Sequence, residues 1–275
     1  MTHRRAAVAL ALLCLAAGCG ETATGGGVDE TLTPATVPEP TPAPVDRVPG
    51  LGKASIVDER ALVTAHRAGL AETSYQLNRE RRVVGPNGTL DVVTVNASVA
   101  GGDAYRVSRV ERSAAEWYTA ASSVRRDVWY RNGHLRNRYV DADREATYWG
   151  SNGVENGPVS DPTRARLVMN ALGAVRFRVT DATRVNGTVR YRLAGTGRTD
   201  RELTGAPSLL IDIRNRSLTA TIRADGVVLA YTLRYEATFK QRAVWVEERY
   251  TVSRLGRVRI TRPSWLAAAN ETVTG

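Results

Sequence analysis

The side chains that could do chemistry are few and scattered. Nucleophilic catalysis needs a base beside a serine, threonine or cysteine. The chain has three histidines, His3, His66 and His134. His66 falls on the apolar stripe Leu62, Val63, His66, Leu70 and is read as a packed helix residue. His134 follows the turn Asn132-Gly133 and is read as exposed. No Gly-x-Ser-x-Gly elbow, phosphate loop or His-Glu-x-x-His occurs. Asp141-Ala142-Asp143-Arg144-Glu145 starts like a calcium loop, but Ala146 stands at the sixth position and Asn152 at the twelfth. A solvated turn is the simpler reading. Glu247 and Glu248 adjoin on a strand, so they point to opposite faces and form no acid–base pair. The expectation is a chain that is not an enzyme, with no catalytic residue, no metal and no cofactor.

Arginine and the aromatic residues carry more. The net charge is +10, and of 38 basic residues only Lys53 and Lys240 are lysine. Arg4 and Arg5 contribute +2, and Glu21, Asp29, Glu30, Glu39 and Asp46 against Arg47 contribute −4, so residues 51–275 hold +12. Arg176 and Arg178 share one strand face, as do Arg190 and Arg192, by the period of two. Arg81-Arg82 and Arg125-Arg126 add charge elsewhere. Such a surface suits phosphates, above all anionic lipid headgroups, or is simply the water-facing side of a sheet. Nucleic acid is not expected as a partner. Trp117, Trp129, Trp149 and Trp245, with Trp265, are many beside two phenylalanines. The first four are candidates to line a cavity for an apolar ligand, or else belong to the core. Five Asn-x-Ser/Thr sites, at Asn87, Asn96, Asn186, Asn215 and Asn270, are candidates for N-glycosylation. Asn87 and Asn186 are also turn asparagines.

The N-terminus reads as an address. Arg4-Arg5 precede an apolar run from Ala6 to Ala17, too short to span a bilayer and suited to a signal-peptide core. It ends in Leu15-Ala16-Ala17-Gly18-Cys19, which resembles a prokaryotic lipobox, with Leu15 four residues before the cysteine instead of three. The resemblance implies cleavage after residue 18 and a lipid on Cys19. The arginine pair fits either general or twin-arginine export. With Cys14 removed and Cys19 acylated, the mature domain has no thiol. The expected localisation is the outer face of the cytoplasmic membrane. Residues 19–50 form a Thr/Pro/Gly-rich tether with no apolar periodicity.

The elements that must position these residues follow in one domain, 51–268, with a tail at 269–275. Ser55 and Asp58 suggest a capping box for a helix through Leu70. From Tyr75 the period changes to two. Strands are predicted from Tyr75 and over 90–99, 105–110, 124–130, 135–140, 174–180, 189–193, 218–222, 227–235, 243–252 and 257–260. Asn87-Gly88, Asn132-Gly133, Asn186-Gly187 and Asp225-Gly226 mark hairpin turns. A second helix is predicted over 162–172, capped by Asp161 with Pro162 first. The fold class is α+β and mostly antiparallel β: a curved sheet packed on one or two helices.

His66-Arg67-Ala68-Gly69-Leu70, Ser74-Tyr75, the segment Arg126-Asp127-Val128-Trp129-Tyr130-Arg131-Asn132-Gly133, Ile222-Arg223-Ala224-Asp225-Gly226-Val227-Val228 and Pro263-Ser264-Trp265, behind the lipobox and tether, resemble lipoproteins of halophilic archaea that carry only a domain-of-unknown-function label. That group is similar in outline to the LolA/LppX-type carriers, half-barrel lipoproteins that hold an acyl chain between sheet and helix. The resemblance implies a half-barrel and a membrane-anchored protein that binds an apolar or amphipathic ligand between sheet and helix. The alternative is an envelope interaction module with a packed core that acts through its arginine-rich surface.

Overall fold

The computed structural model describes residues 47–274 apart from 54, 72, 102–103, 118–119, 154–161, 198–202 and 204–205. The signal, Cys19, residues 20–46 of the expected tether and Asp161 lie outside the described residues, but 47–50 belong to the domain: Val48 is buried in its core, and the Val57 amide donates to Gly50 O at 3.0 Å.

Helix α1 (Glu59–Ala71) buries Leu62, His66 and Leu70, one residue per turn on one side. Its cap is Asp58 itself, whose Oδ1 accepts from the Ala61 amide at 3.0 Å, so the start lies one turn beyond the predicted box. Gly69 is a contact residue here. A Cβ at that position would stand 2.2 Å from Val227 Cγ2, so the missing side chain lets α1 reach the sheet.

Eleven antiparallel strands follow the helix: β1 (Ser74–Gly85), β2 (Gly88–Ala100), β3 (Ala104–Ser113), β4 (Ser122–Arg131), β5 (His134–Val140), β6 (Ala146–Ser151), β7 (Phe177–Val185), β8 (Thr188–Thr196), β9 (Ile211–Arg223), β10 (Val228–Phe239) and β11 (Arg242–Ser253). Helix α2 (Ala165–Gly173) separates β6 from β7, and α3 (Leu266–Thr274) follows β11. The strands form one curved, unclosed sheet in the order β6-β5-β4-β3-β2-β1-β11-β10-β9-β8-β7. Two meanders are therefore joined at a single seam, β1 against β11. This is the fold class the periodicity predicts.

Turn chemistry explains most hairpins. Asn132-Gly133 and Asn186-Gly187 have positive φ at both residues, the twist that matches flanking strands. The β10–β11 turn does the same with Lys240 and Gln241, at φ 46° and 62°. No glycine marks it, and both strands run further toward the turn than their apolar patterns suggest.

Four local expectations are corrected. Residues 257–260 form no strand; the chain turns at Gly256, whose amide donates to Ser74 O at 2.7 Å, while the Val258 amide donates to Ser74 Oγ at 2.9 Å. Helix α2 starts at Ala165, because Arg164 lies in the left-handed region at φ 57° and stops the helix from extending back to Pro162. Strand β6 is unpredicted, since its exposed and half-buried residues show no apolar alternation. Helix α3 is unpredicted too. It lies on β5 and β6, where Trp129, Trp265, Leu266 and Ala269 make a separate small core.

Helices α1 and α2 cover the inner face of the sheet. Leu62, Leu70, Val168 and Leu172 join Leu77, Leu193, Leu218, Ile222, Tyr231 and Tyr250 in the main core. The other, outer face of β7–β11 has no helix on it among the described residues.

Candidate functional site

Between the sheet and helices α1 and α2 the described side chains are tightly packed. Tyr191, Tyr250, Leu62, Leu172, Leu193, Leu218 and Ile222 have at most 2% of their surface accessible. A side chain without accessible surface has no water-sized void beside it. His66 sits here as the sequence predicts, packed and buried. The Val228 amide donates to its Nδ1 at 3.2 Å, so the ring proton is on Nε2, which donates to Thr163 O at 3.2 Å. Tyr250 also donates to Thr163 O, at 3.0 Å, and stacks on Tyr231 with centroids 5.2 Å apart. One imidazole therefore ties α1, the approach to α2 and β10 together.

Next to this core the inner face carries a polar network. Arg79 of β1 donates to Glu248 of β11 at 2.6 Å, and Tyr231 donates to the other oxygen of the same carboxylate. Arg81 donates to Asp91 at 3.0 Å, and Ser113 donates to Asp91 at 2.8 Å. Burial pushes the Tyr231 hydroxyl far above the usual tyrosine range, and the charge of Glu248 and its hydrogen bond push the same way. Burial also raises Tyr235, again with help from Glu248. For Arg79 burial pushes down, but the Glu248 carboxylate and its hydrogen bond together outweigh it, so the guanidinium ends above its ordinary value. Glu247 and Glu248 do point apart as predicted: Glu247 pairs outward with Arg234 and Arg249 at 2.5 and 2.7 Å. Sequence reasoning missed the network, although counting by twos from buried Tyr75 places Arg79 and Arg81 on the inner face.

The four candidate cavity aromatics do not converge. Trp117 is buried against Phe239, with ring centroids 4.7 Å apart. Trp129 is buried with Trp265 under α3, on the outer face. Trp149 is 40% exposed on the inner face of β6, with the Arg126 guanidinium 5.8 Å from its centroid. Trp245 is 56% exposed on the outer face of β11. The glycosylation candidates are equally spread. Asn87 and Asn186 are exposed at hairpin turns. Asn96 accepts from Asn78 at 2.5 Å in mid-strand, and Asn215 lies exposed in β9 at φ 50°. The Asn270 carbonyl accepts from Arg136 Nε at 2.7 Å. His134 is exposed as predicted, near Asn152 at 3.1 Å. Asp141 accepts from the Glu145 amide at 2.9 Å, which makes its segment a self-capped turn. Among the described residues no three His, Cys, Asp or Glu side chains are grouped to hold a metal.

The arginine pairs do come together. A groove of about 620 Å³ runs over β7–β10, lined by Arg176, Arg178, Thr196, Ser217, Thr219, Thr232 and Arg234. It shares Thr219 and Thr232 with a second groove of about 320 Å³ that adds Arg192, Thr180 and Thr221. Thr221 and Ala230 lead on to a third, of about 570 Å³, with Arg190, Arg254 and Arg257. Guanidinium groups and hydroxyls therefore line one continuous path. The acids on this face are largely occupied: Glu236 pairs with Arg214 at 3.1 Å, and Glu247 with Arg234 and Arg249. Arg176, Arg178 and Arg192 have no acidic partner among the described residues. Such an array can bind an elongated polyanion or a charged surface.

No family model matches the chain, and no curated protein matches it. Solved structures do align over most of it. LprF from Mycobacterium bovis aligns over 78% of this chain and 99% of its own, at 12% identity and a TM-score of 0.35. A DUF1329 family protein from Desulfovibrio piger covers 75% and 94%, at 10% identity and 0.27. A LolA superfamily protein from Nitrosomonas europaea covers 74% and 94%, at 11% identity and 0.25.

Proposed function

We propose that this chain is a membrane-anchored extracytoplasmic binding protein, held by a lipid on Cys19, whose outer sheet face binds an anionic partner through its arginine groove. Binding, not catalysis, is its work. The observation that carries the reading is the set Arg176, Arg178 and Arg192, set along two adjoining grooves of one face without acidic partners among the described residues. The packed core beneath α1 and α2 supports it as well, because it leaves that part of the interior to structure. The lipobox and the Thr/Pro-rich spacer after Cys19 supply the anchor and the reach.

A second reading has one specific support. Trp149 is exposed on the inner face of β6 with Arg126 over its ring, beyond the packed core. An amphipathic ligand could enter there, its tail on the indole and its head on the guanidinium.

The test is calorimetric titration of the chain carrying Cys19→Ser with a short inorganic polyphosphate. Each arginine near a polyanionic surface contributes about 1 kcal/mol, so Arg176→Ala/Arg178→Ala/Arg192→Ala should weaken binding roughly 100-fold. Equal affinity for both proteins would sink the groove reading. Activity at Trp149 would show instead as loss of a bound lipid in Trp149→Ala.

A further inference from the structure

Large apolar side chains exposed on the described surface number five: Val57, Trp149, Leu209, Ile211 and Trp245. Two of them, Ile211 and Trp245, lie toward one end of the outer face. Ile211 opens β9 and is 60% exposed; it pairs with Thr238 of β10, which pairs with Ala243 of β11, two residues from Trp245. Leu209, 44% exposed, stands two residues before β9. Across the seam Trp245 pairs with Val84 of β1, itself only half-buried. This apolar end lies beside cations. Arg242 is exposed at the β10–β11 turn, Arg249 lies further along β11 on the same face, and Arg234 of β10, Arg82 of β1 and Arg214 of β9 lie around Trp245. Glu236 and Glu80 are each tied to one of these arginines and Glu247 to two, Arg234 and Arg249. The arginine groove continues from here along the same face through Arg234.

An indole and an aliphatic side chain among guanidinium groups suit one environment well, the headgroup layer of an anionic bilayer. Tryptophan is favoured at that depth, where one end of the ring is apolar and the other wet. Arginine meets phosphate there bidentately. A second copy of this chain would bring the same positive face against itself, which charge opposes.

We infer that the outer sheet face docks on an anionic lipid bilayer, with Trp245 and Ile211 entering the headgroup layer and the arginine groove spread over the phosphates. The inference rests on the proposed function and names its anionic partner. It also assigns Trp245 a place in lipid contact, which an arginine groove alone does not require. The domain then lies on the membrane by its uncovered sheet, with α1 and α2 turned away.

The full chain carrying Cys19→Ser is mixed with vesicles of phosphatidylglycerol and phosphatidylcholine, the phosphatidylcholine brominated in its upper acyl chain. Bromine quenches an indole only on close approach. The expected result is quenching of tryptophan fluorescence that disappears in Trp245→Phe, weakens in Ile211→Ser, and is lost in vesicles of phosphatidylcholine alone. Both positions are exposed, and unchanged far-ultraviolet dichroism and an unchanged urea midpoint confirm that the fold is kept. Quenching that is the same in Trp245→Phe overturns the inference. If polyphosphate binding remains intact in that case, the arginine groove stands and the bilayer contact falls. If polyphosphate binding is absent while Trp245 is still quenched, the apolar end meets lipid and the groove reading falls. A dimer in sedimentation experiments that shields Trp245 from acrylamide without lipid assigns the face to a second copy and overturns the inference.

Discussion

Glu248→Leu should be among the most damaging single substitutions in the described domain. The Glu248 carboxylate is 9% exposed and holds two groups, Arg79 at 2.6 Å and the Tyr231 hydroxyl. Leucine removes the acceptor and leaves a guanidinium that is itself 14% exposed without its counter-charge. Breaking a buried pair from one side costs about 3–5 kcal/mol, and the residual exposure places this pair near the lower end. The orphaned Tyr231 hydroxyl adds about 1–3 kcal/mol. Taking about 4 kcal/mol, and a urea slope of about 2–3 kcal/mol/M, the unfolding midpoint should fall by about 1.3–2 M. Arg79→Met/Glu248→Leu removes both charges and should recover most of the loss, except the part owed to Tyr231. Adding Tyr231→Phe should recover that part too. The assay is urea unfolding of all variants, followed by dichroism at two wavelengths. If Glu248→Leu moves the midpoint by less than about 0.4 M, the carboxylate is not the hub described. If the double variant loses as much as both single ones together, there is no coupling across the seam and the reasoning fails.

Two further outcomes follow from the geometry. Tyr231 and Tyr235 keep their protons in the folded state to higher pH than in the unfolded chain, so stability is unaffected below about pH 10 and falls above it, by about 1.4 kcal/mol per pH unit for each tyrosine. Tyr235→Phe should remove about 1.4 kcal/mol per pH unit from that slope in urea unfolding between about pH 10 and 12; an unchanged slope contradicts the assignment. Gly195→Ala would place a Cβ 2.0 Å from Arg176 O and 2.7 Å from Phe177 Cα, both backbone atoms, so β7 must shift. A cost of about 1–3 kcal/mol in thermal unfolding, with faster amide exchange in β7 and weaker polyphosphate binding, is expected; unchanged β7 protection would refute it.

Much of the fold is legible in the sequence because its signals are local. The alternation that starts at Tyr75 and the Asn-Gly turns at 132–133 and 186–187 each act within a few residues. They suffice for an antiparallel meander. What was not legible depends on partners far along the chain. Strand β6 alternates nothing apolar and exists because β5 offers it an edge. Helix α3 is held by Trp129 and Arg136, more than a hundred residues earlier. The Lys240-Gln241 turn has no glycine signature, and register between two well-patterned strands imposes its left-handed φ values. The candidate site divides the same way. The period of two puts Arg176 and Arg178 on one face and Arg190 and Arg192 on one face, and the structure sets all four along three adjoining grooves of the same face. The aromatic candidates failed to gather because composition counts tryptophans without saying which face each takes. The Arg79–Glu248 pair spans 169 residues, and no window along the sequence contains both partners.

That separation bears on how the chain assembles as it is made. The first meander, β6 through β1, can close its own hairpins early, but one edge of β1 then shows a row of free amides and carbonyls until β11 appears. Such an edge invites pairing with another chain, and edge charges are the usual deterrent. Arg79, Glu80, Arg81 and Arg82 lie consecutively along that edge. Before β11 arrives they repel strangers by charge and bulk. After it arrives Glu248 and Glu247 come to lie across from Arg81 and Arg82, and a deterrent becomes a fastener.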